Sequence, residues 1–168
     1  MGILVTTDDF NTGEYLLPIN TQNLGQIDAL IDENEENYLR QLLGNELFDL
    51  FEADLVNRIP QTARFVAIYD PIQEDNNSCP VVNRGMKTMI KGLLFFKIAR
   101  ELNVKLTQTG FGRAESDVNP STGWLPGNLF RKQNAAVDDA DVIQWYINEN
   151  SSTYPEYAGI EISRASWL

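Results

Sequence analysis

The chain has 168 residues, of which 43% are hydrophobic, and these values fit a single domain with a sizeable apolar core. The formal net charge of -11 and the pI near 4.3 argue against nonspecific binding to nucleic acid or to an anionic membrane, because the summed field repels phosphate. No apolar run approaches the roughly 18 residues of a membrane helix, and Cys79, the single cysteine, excludes an internal disulfide.

The N-terminal segment is mixed in polarity and contains turn residues such as Gly13. Residues 1–23 are therefore predicted to form an N-terminal arm. Between Ile3 and Leu17 this arm has room for a short helical turn before the core begins.

From Leu24 the apolar residues fall three or four positions apart, which is the period of an amphipathic helix. We expect Asn23 to cap this helix and Gly44 to stop it. Asn45 is then predicted to cap a second helix from Glu46 to Val56 after a tight corner.

Three acids of the first helix, Glu33, Glu35 and Glu36, are predicted to lie on its exposed face. A run of charge on a helix is usually a solvated surface. The same residues would also form the binding face of an acidic protein that recognises a basic partner.

The region from Asn57 to Val82 has no clear period. Phe65 to Tyr69 is compatible with either a short strand or a helical turn. Asp75 to Ser78 is predicted to form an exposed loop, because Asp, Asn and Ser favour turns.

The stretch from Arg84 to Leu102 is predicted to be the central helix of the fold. Its wide apolar stripe requires partners on more than one side. Its polar positions are almost all basic, so a positive outer face is expected, and they include Lys87 and Lys91.

Charge is unevenly distributed along the chain. Up to Pro60 there are twelve acids against two bases, whereas Arg84 to Arg113 contains seven bases against Glu101. Such a polarised molecule either pairs its own halves or pairs head to tail with copies of itself. The sequence leaves both arrangements open.

The last third is predicted to contain a strand, a long loop and a helix. Val104 to Phe111 alternates weakly as a strand does, and Gly112 to Asn128 is rich in glycine and proline. The last helix is expected to begin between Leu129 and Asn134. Its buried side is predicted to contain Ala136, Ala140, Ile143 and Ile147. Residues 151–168 are predicted to form a C-terminal tail.

Together these elements predict a mostly α fold within one domain, residues 1–168. The expected architecture is a compact bundle of about four main helices, with a long irregular loop or short β-hairpin and extended termini.

Candidate catalytic and metal-binding residues are few. There is no histidine, and Cys79 has no basic neighbour within five residues on its N-terminal side to lower its pKa, so no catalytic residue is predicted. Asp138, Asp139 and Asp141 offer carboxylates for Mg²⁺ or Ca²⁺. Because they are predicted to lie near the start of the last helix, we favour the simpler interpretation that they complement the helix dipole.

Two further features bear on binding. Gly110-Phe111-Gly112-Arg113 lacks the third glycine and the Gly-Lys-Ser/Thr ending of a phosphate loop, so a β-turn is favoured there. Trp124 lies in the long loop and Trp167 next to the last residue, where an indole is hard to bury. Aromatic residues in such places occur in interfaces, although packing onto the chain's own core is an equal alternative.

Several segments carry a family resemblance through their order and spacing: YLRQLLGNELFDLF (Tyr38 to Phe51), GMKTMIKGLLFFKIARELN (Gly85 to Asn103), then Thr107, Thr109-Gly110 and Glu115, and NAAVDDADVIQWYINEN with YPEYAG. They resemble the small head-to-tail connector proteins (adaptor or head-completion proteins) of tailed bacteriophages, particularly those of phages of Bacteroidetes hosts. The resemblance covers about Leu24 to Gly159.

This resemblance implies a helical virion protein, assembled in the bacterial cytoplasm, that forms a ring of about twelve copies in the neck beneath the portal. The ring would extend the DNA channel, contact the portal and other neck or tail proteins, and let genomic DNA pass without specific binding. It implies no membrane, enzyme activity, cofactor or metal.

The leading hypothesis is therefore a connector ring subunit. Its candidate interface residues are Gly110, Phe111, Arg113, Trp124, Lys87, Lys91, Glu33, Glu36 and Trp167. The alternative is a monomeric acidic regulatory or inhibitor protein, a DNA mimic, that binds a basic partner. A metal-dependent hydrolase that uses Asp138 to Asp141 is a third.

Overall fold

A computed structural model of the protein describes residues 2–17, 24–76, 79–107, 110–113 and 126–164. At residues 75, 76, 79, 103–107, 110–113, 126 and 127 it describes the backbone alone. The described fold is mostly helical, and its helices pack together as a compact bundle, as predicted. The α-helices are α1 Leu24–Leu43, α2 Asn45–Ala53, α3 Ala63–Tyr69, α4 Met86–Asn103 and α5 Pro126–Glu149. A 3-10 helix spans Thr7–Phe10, and the strands are β1 Leu55–Val56, β2 Ile59–Pro60, β3 Gln73–Asn76, β4 Cys79–Val82, β5 Val104–Thr107 and β6 Gly110–Arg113.

Helix α4 is the centre of the core, as its sequence predicts. It packs against α5, α1 and α3, so apolar residues around most of its circumference are buried. Helix α4 lies close to α5 at Gly92, where an added Cβ would be 2.7 Å from Ala136 Cβ. The predicted buried side of α5 is confirmed, since Ala136, Ala140, Ile143 and Ile147 are all buried.

Helix α5 begins earlier than predicted. Its first residue is Pro126, whose fixed φ and missing N–H suit the first position of a helix. Of the predicted loop from Gly112 to Asn128, both ends therefore belong to β6 and α5, and residues 114–125 lie outside the described part of the chain.

The described part of the N-terminal segment, residues 2–17, packs onto the bundle. Leu4, Val5, Phe10 and Leu17 are buried in the core, and the 3-10 helix is the short helical turn that the sequence predicted. The first helix has its predicted bounds, although its predicted cap, Asn23, lies outside the described residues.

The second helix differs from the prediction at both ends. Gly44, with φ +80°, takes the capping position, and Asn45 is the first helical residue. The helix stops at Ala53, because the Asp54 carboxylate accepts the backbone N–H groups of Gln61 (2.7 Å) and Thr62 (2.8 Å) and draws the chain into the β1–β2 hairpin.

The middle region is more ordered than its sequence suggested. Phe65 to Tyr69 lies in α3. Of the predicted exposed loop at Asp75 to Ser78, Asp75 and Asn76 belong to β3, whereas Asn77 and Ser78 lie outside the described residues. Asn83 closes the base of the β3–β4 hairpin: its Oδ1 accepts the N–H groups of Ile72 (2.7 Å) and Gly85 (3.1 Å). A side chain just outside the strands therefore fixes their pairing.

The described part of the C-terminal tail, residues 151–164, has no helix and is attached to the bundle. Ile160 N–H donates to Gln41 O at 2.7 Å, and Tyr154 Oη donates to Arg64 O at 2.6 Å. The last carbonyls of α1 are thus capped by a segment more than 100 residues away. Among the described residues, none of the helices has the length and apolar character needed to cross a bilayer.

Candidate functional site

The exposed side of α1 and α2 is acidic. Glu33 and Glu36 are exposed, as predicted, and Arg40 is the only cation in either helix. We call this side of the two helices the acidic face. Its exposed acids are Asp28, Asp32, Glu33, Glu36, Glu46, Asp49 and Glu52.

Glu35 does not belong to the acidic face, which corrects the prediction that it is exposed. Its side chain is 1% exposed and accepts three backbone N–H groups, from Ile3 at 2.6 Å to Oε2 and from Leu4 and Val5 at 2.8 and 3.0 Å to Oε1. Burial raises the pKa of Glu35, partly offset by these three donors, which favour the ionised form. The role of Glu35 is to hold the N-terminal segment on α1.

The burial of Glu35 could have been inferred from its spacing in the sequence. Ile31, Glu35 and Leu39 are four residues apart and therefore lie on one side of α1, the side that faces the core. A carboxylate in an apolar stripe requires donors, and the sequence alone does not show which backbone supplies them.

Arg40 ties the two acidic helices together. Its Nε contacts Glu36 at 2.8 Å and its Nη1 contacts Asp49 at 3.0 Å, while the guanidinium lies 4.4 Å from the centroid of the Phe48 ring. Glu36 is thus engaged within the chain. Glu33 makes no ion pair with any described residue, and it is the freer of the two predicted interface acids.

Two basic side chains of α4, Lys87 and Lys97, form ion pairs within the described part of the chain, so the predicted positive outer face is reduced. Lys87 Nζ lies 2.9 Å from Asp9, and Lys97 lies 3.5 Å from Glu101. Burial alone would raise the pKa of Asp9, but the Lys87 hydrogen bond and charge, with the Thr6 N–H, hold it below its ordinary value. Of the two arrangements left open by the charge pattern, pairing within the chain is observed at Lys87.

Arg84 and Asp139 form the most buried ion pair described. Nε and Nη2 of Arg84 lie 2.8 and 2.7 Å from Asp139 Oδ2, and the Arg84 backbone N–H donates to Oδ1 at 3.0 Å. Arg84 Nη1 is also 3.6 Å from Glu14. The start of α4, the middle of α5 and the N-terminal segment meet at this guanidinium.

The three aspartates of α5 are structural ion-pair partners, which corrects the interpretation based on the helix dipole. They lie at least three turns after Pro126, and Asp138 and Asp141 contact Arg164 at 2.7 and 2.9 Å. Within the described ranges no group of three His, Cys, Asp or Glu residues could hold a metal ion.

The remaining predicted interface residues lie apart from one another. Lys87 and Lys91 lie in the first half of α4, whereas Gly110, Phe111 and Arg113 form β6 beyond its C-terminal end, in a strand and not in the predicted turn. Trp124 and Trp167 fall outside the described residues. Hence the described residues are spread over three surfaces: the acidic face, the start of α4 and the β5–β6 hairpin.

One surface feature was missed by the sequence reasoning. Val56 and Ile59 pair across the β1–β2 hairpin and are 54% and 53% exposed. The turn between them, Asn57 and Arg58, has positive φ angles of 52° and 67°, without the glycine that usually marks such turns. We call Val56 to Ile59 the β1–β2 knob.

An open polar cleft of about 660 Å³ lies between the α1–α2 corner and the C-terminal segment. It is lined by Asn37, Arg40, Gln41, Gly44, Asn45, Glu46, Pro155, Glu156, Tyr157, Ala158 and Ile160. These side chains offer hydrogen bonds but no strong nucleophile, so the cleft suits binding better than covalent chemistry. Comparison with known protein families, curated proteins and solved structures gives no match to this chain.

Proposed function

We propose that the protein is a structural subunit of a head-to-tail connector ring in the neck of a tailed bacteriophage, which joins the portal to the tail and extends the DNA channel. One observation carries the proposal: the central helix has a hairpin with unpaired strand edges at each of its ends. Strand β4 ends at Val82, just before α4, and β5 begins at Val104, immediately after it.

Open strand edges are sites where another chain can add. Each described strand pairs with one other strand only, so each described hairpin has outer edges without a neighbouring described strand. Helix α4 has 18 residues and is about 27 Å long at 1.5 Å per residue. Two different edges at opposite ends of one rigid helix suit a heterologous contact, the kind that closes a ring.

The charge of the molecule is compatible with a channel wall. DNA must slide past a connector, so its wall should not hold phosphate. A net charge of -11 favours such passage, because it offers no excess of cations for phosphates to bind. On this proposal the protein is not an enzyme, and it requires neither a cofactor nor a metal.

Electron microscopy of the full chain, alone and mixed with the portal protein of the same virus, tests the proposal. We expect rings of about twelve copies stacked on the portal, as the family resemblance implies. Particles of the portal without added density, together with a monomer by light scattering at every concentration tested, would contradict it.

A second candidate is a monomeric DNA mimic, which is favoured by the acidic face. In that case Glu33, exposed and without an ion pair among the described residues, is part of the binding surface. Charge reversal by Glu33→Lys should abolish binding to a basic partner, with Glu161→Lys as the matched exposed control. A ring subunit tolerates Glu33→Lys unless Glu33 faces its neighbour.

A further inference from the structure

Positive charge without a carboxylate partner remains on α4 and α5. Every acid of α4, and every acid of α5 before its last residue, has an ion-pair partner within the described part of the chain: Glu101, Asp138, Asp139 and Asp141. Lys91, Arg100 and Arg131 of the same helices form no ion pair with any described residue. Arg100 lies nine positions after Lys91 and so on the opposite side of α4. Lys91 and Arg131 are therefore treated separately from it.

Three cations lie around the Phe95 side chain. Lys91 precedes Phe95 by four residues, so both lie on one side of α4. Lys132 Nζ lies 4.6 Å from the centroid of the Phe95 ring and donates to the carbonyl oxygen of Glu14. Burial lowers the pKa of Lys132; the Glu14 charge offsets part of this effect, and the adjacent Arg131 charge adds to it. We call Lys91, Arg131 and Lys132 the α4–α5 basic patch.

The acidic face has the opposite excess of charge. Its one cation, Arg40, is engaged by Glu36 and Asp49. Glu33 and Glu46 are exposed and form no ion pair with any described residue. Each surface therefore lacks the charge that the other has left over.

The two surfaces belong to different sides of the bundle. Helices α1 and α5 both pack extensively against α4 and only slightly against each other. The acidic face is the outer side of α1 and α2, whereas the basic patch lies on α4 and α5. These charges do not meet within one copy, and a head-to-tail contact between two copies is the arrangement that pairs them.

We propose that the α4–α5 basic patch of one copy binds the acidic face of the next copy, with Lys91 and Arg131 opposite Glu33 and Glu46. This assignment rests on the proposed ring and names the charged surfaces that orient its subunit contact. Helix α1, with 20 residues, is about 30 Å long and matches the length of α4. It can therefore lie along α4 between the hairpins at the two ends of that helix. Complementary charge fixes the choice and orientation of the partner more than the affinity, so the hairpins add contact area to this pairing.

The first experiment neutralises the basic patch without touching Lys132, which holds the N-terminal segment. The double variant Lys91→Gln, Arg131→Gln breaks no described ion pair and should keep the wild-type circular dichroism spectrum. We expect ring formation by the full chain on the portal to require about tenfold or more higher protein concentration. Ring formation by this variant should also depend less on salt than that of the wild type.

The matched control makes the same change in net charge elsewhere. Asn148→Glu, Ser151→Glu adds two negative charges at exposed positions at and beyond the end of α5. Asn148 is about 24 Å along the helix from Lys132, at 1.5 Å per residue. This control should assemble as the wild type does.

The second experiment reverses each surface and then mixes the two chains. One chain carries Lys91→Glu and Arg131→Glu, and the other carries Glu33→Lys and Glu46→Lys. Neither chain should form rings alone, because like charges meet at every contact. An equimolar mixture should form rings again, because wild-type surfaces meet at one contact and reversed surfaces at the next.

Negative results for this assignment and for the proposed function are distinguishable. If the wild type forms rings, two results would overturn this assignment and leave the proposed function standing: reversed chains that also form rings alone, and a mixture that stays unassembled. A wild-type chain that forms no ring, alone or on the portal, would overturn both.

Discussion

At the scale of single residues, Glu35 shows how one buried carboxylate fixes a chain end. The Glu35 carboxylate replaces the water that the N–H groups of Ile3, Leu4 and Val5 would otherwise bind. The apolar side chains of these residues can therefore pack against the core. Without this acceptor, three donors would be buried and unsatisfied.

Glu35→Ala should therefore lower the free energy of unfolding by about 2–4 kcal/mol, since each unsatisfied buried group costs about 1–3 kcal/mol and relaxation recovers part of it. Chemical denaturation monitored by circular dichroism measures this. The matched control is Glu33→Ala, on the exposed side of the same helix, which should change stability by less than about 0.5 kcal/mol. Equal effects of the two variants would contradict the assigned role.

The pH dependence of stability offers an independent check. Because burial raises the pKa of Glu35 above its ordinary value of 4.5, its ionisation opposes folding. The contribution of the Glu35 side chain to the free energy of unfolding is fully present below its ordinary pKa. This contribution is lost as the pH rises through the raised pKa of the folded state. The stability deficit of Glu35→Gln relative to wild type should thus be larger at about pH 4 than at about pH 7. A deficit that grows with pH would contradict the raised pKa.

The buried Asp139 carboxylate likewise depends on a specific partner, the Arg84 guanidinium. Arg84→Ala leaves Asp139 buried without its cation and should cost about 3 kcal/mol or more. Arg84→Lys keeps the positive charge but loses the planar guanidinium that contacts Asp139 through two nitrogens. Its loss of stability should therefore lie between zero and that of Arg84→Ala. Lys97→Ala, which breaks only the half-exposed pair with Glu101, is the control and should cost less than about 0.5 kcal/mol by the same denaturation measurement. Indistinguishable midpoints for the Arg84 and Lys97 variants would contradict the structural role of Arg84.

At the scale of elements, the α1–α2 corner depends on the C-terminal segment. An added Cβ at Gly44 would lie 2.7 Å from the Ala158 carbonyl carbon, and one at Gly159 would collide with Leu42 O. Two glycines more than 100 residues apart therefore permit a single close contact. The segment in turn caps the last carbonyls of α1.

Gly159→Ala should consequently destabilise the protein by about 1–3 kcal/mol, because backbone on both sides must move. Gly25→Ala provides the opposite control, since Gly25 lies in α1 with open space around its Cβ position. That change should stabilise by about 0.4–1 kcal/mol through helix propensity and reduced entropy of the unfolded chain. In thermal unfolding, the Tm should fall for Gly159→Ala and rise for Gly25→Ala. A rise in Tm for Gly159→Ala would contradict the close contact with Leu42.

At the scale of the whole molecule, the negative net charge opposes DNA binding but still allows oppositely charged surfaces of two copies to associate. With a net charge of -11, the protein should not retard duplex DNA in a gel shift even at about 50 mM salt, where phosphate binding is strongest. Its self-association, if it joins the acidic face of one copy to basic side chains of another, should weaken as salt is raised. A retarded band that weakens steeply with added salt would contradict the channel-wall interpretation.

Periodicity in the sequence determined the helical class, the bounds of α1, the central place of α4 and the buried side of α5. Each of these depends on side chains three or four residues apart, so local sequence is sufficient. The turn between Val56 and Ile59 was not recognised, because neither Asn57 nor Arg58 is a glycine.

Only the tertiary structure decided where the charges go. Glu35 is bonded to residues 30–32 positions away, and Asp139 to Arg84, 55 positions away. Sequence pattern shows that a residue is charged, and composition shows that acids exceed bases. Whether a given carboxylate faces solvent or a buried donor depends on which distant segments pack together, and that choice is made by the free energy of the whole core.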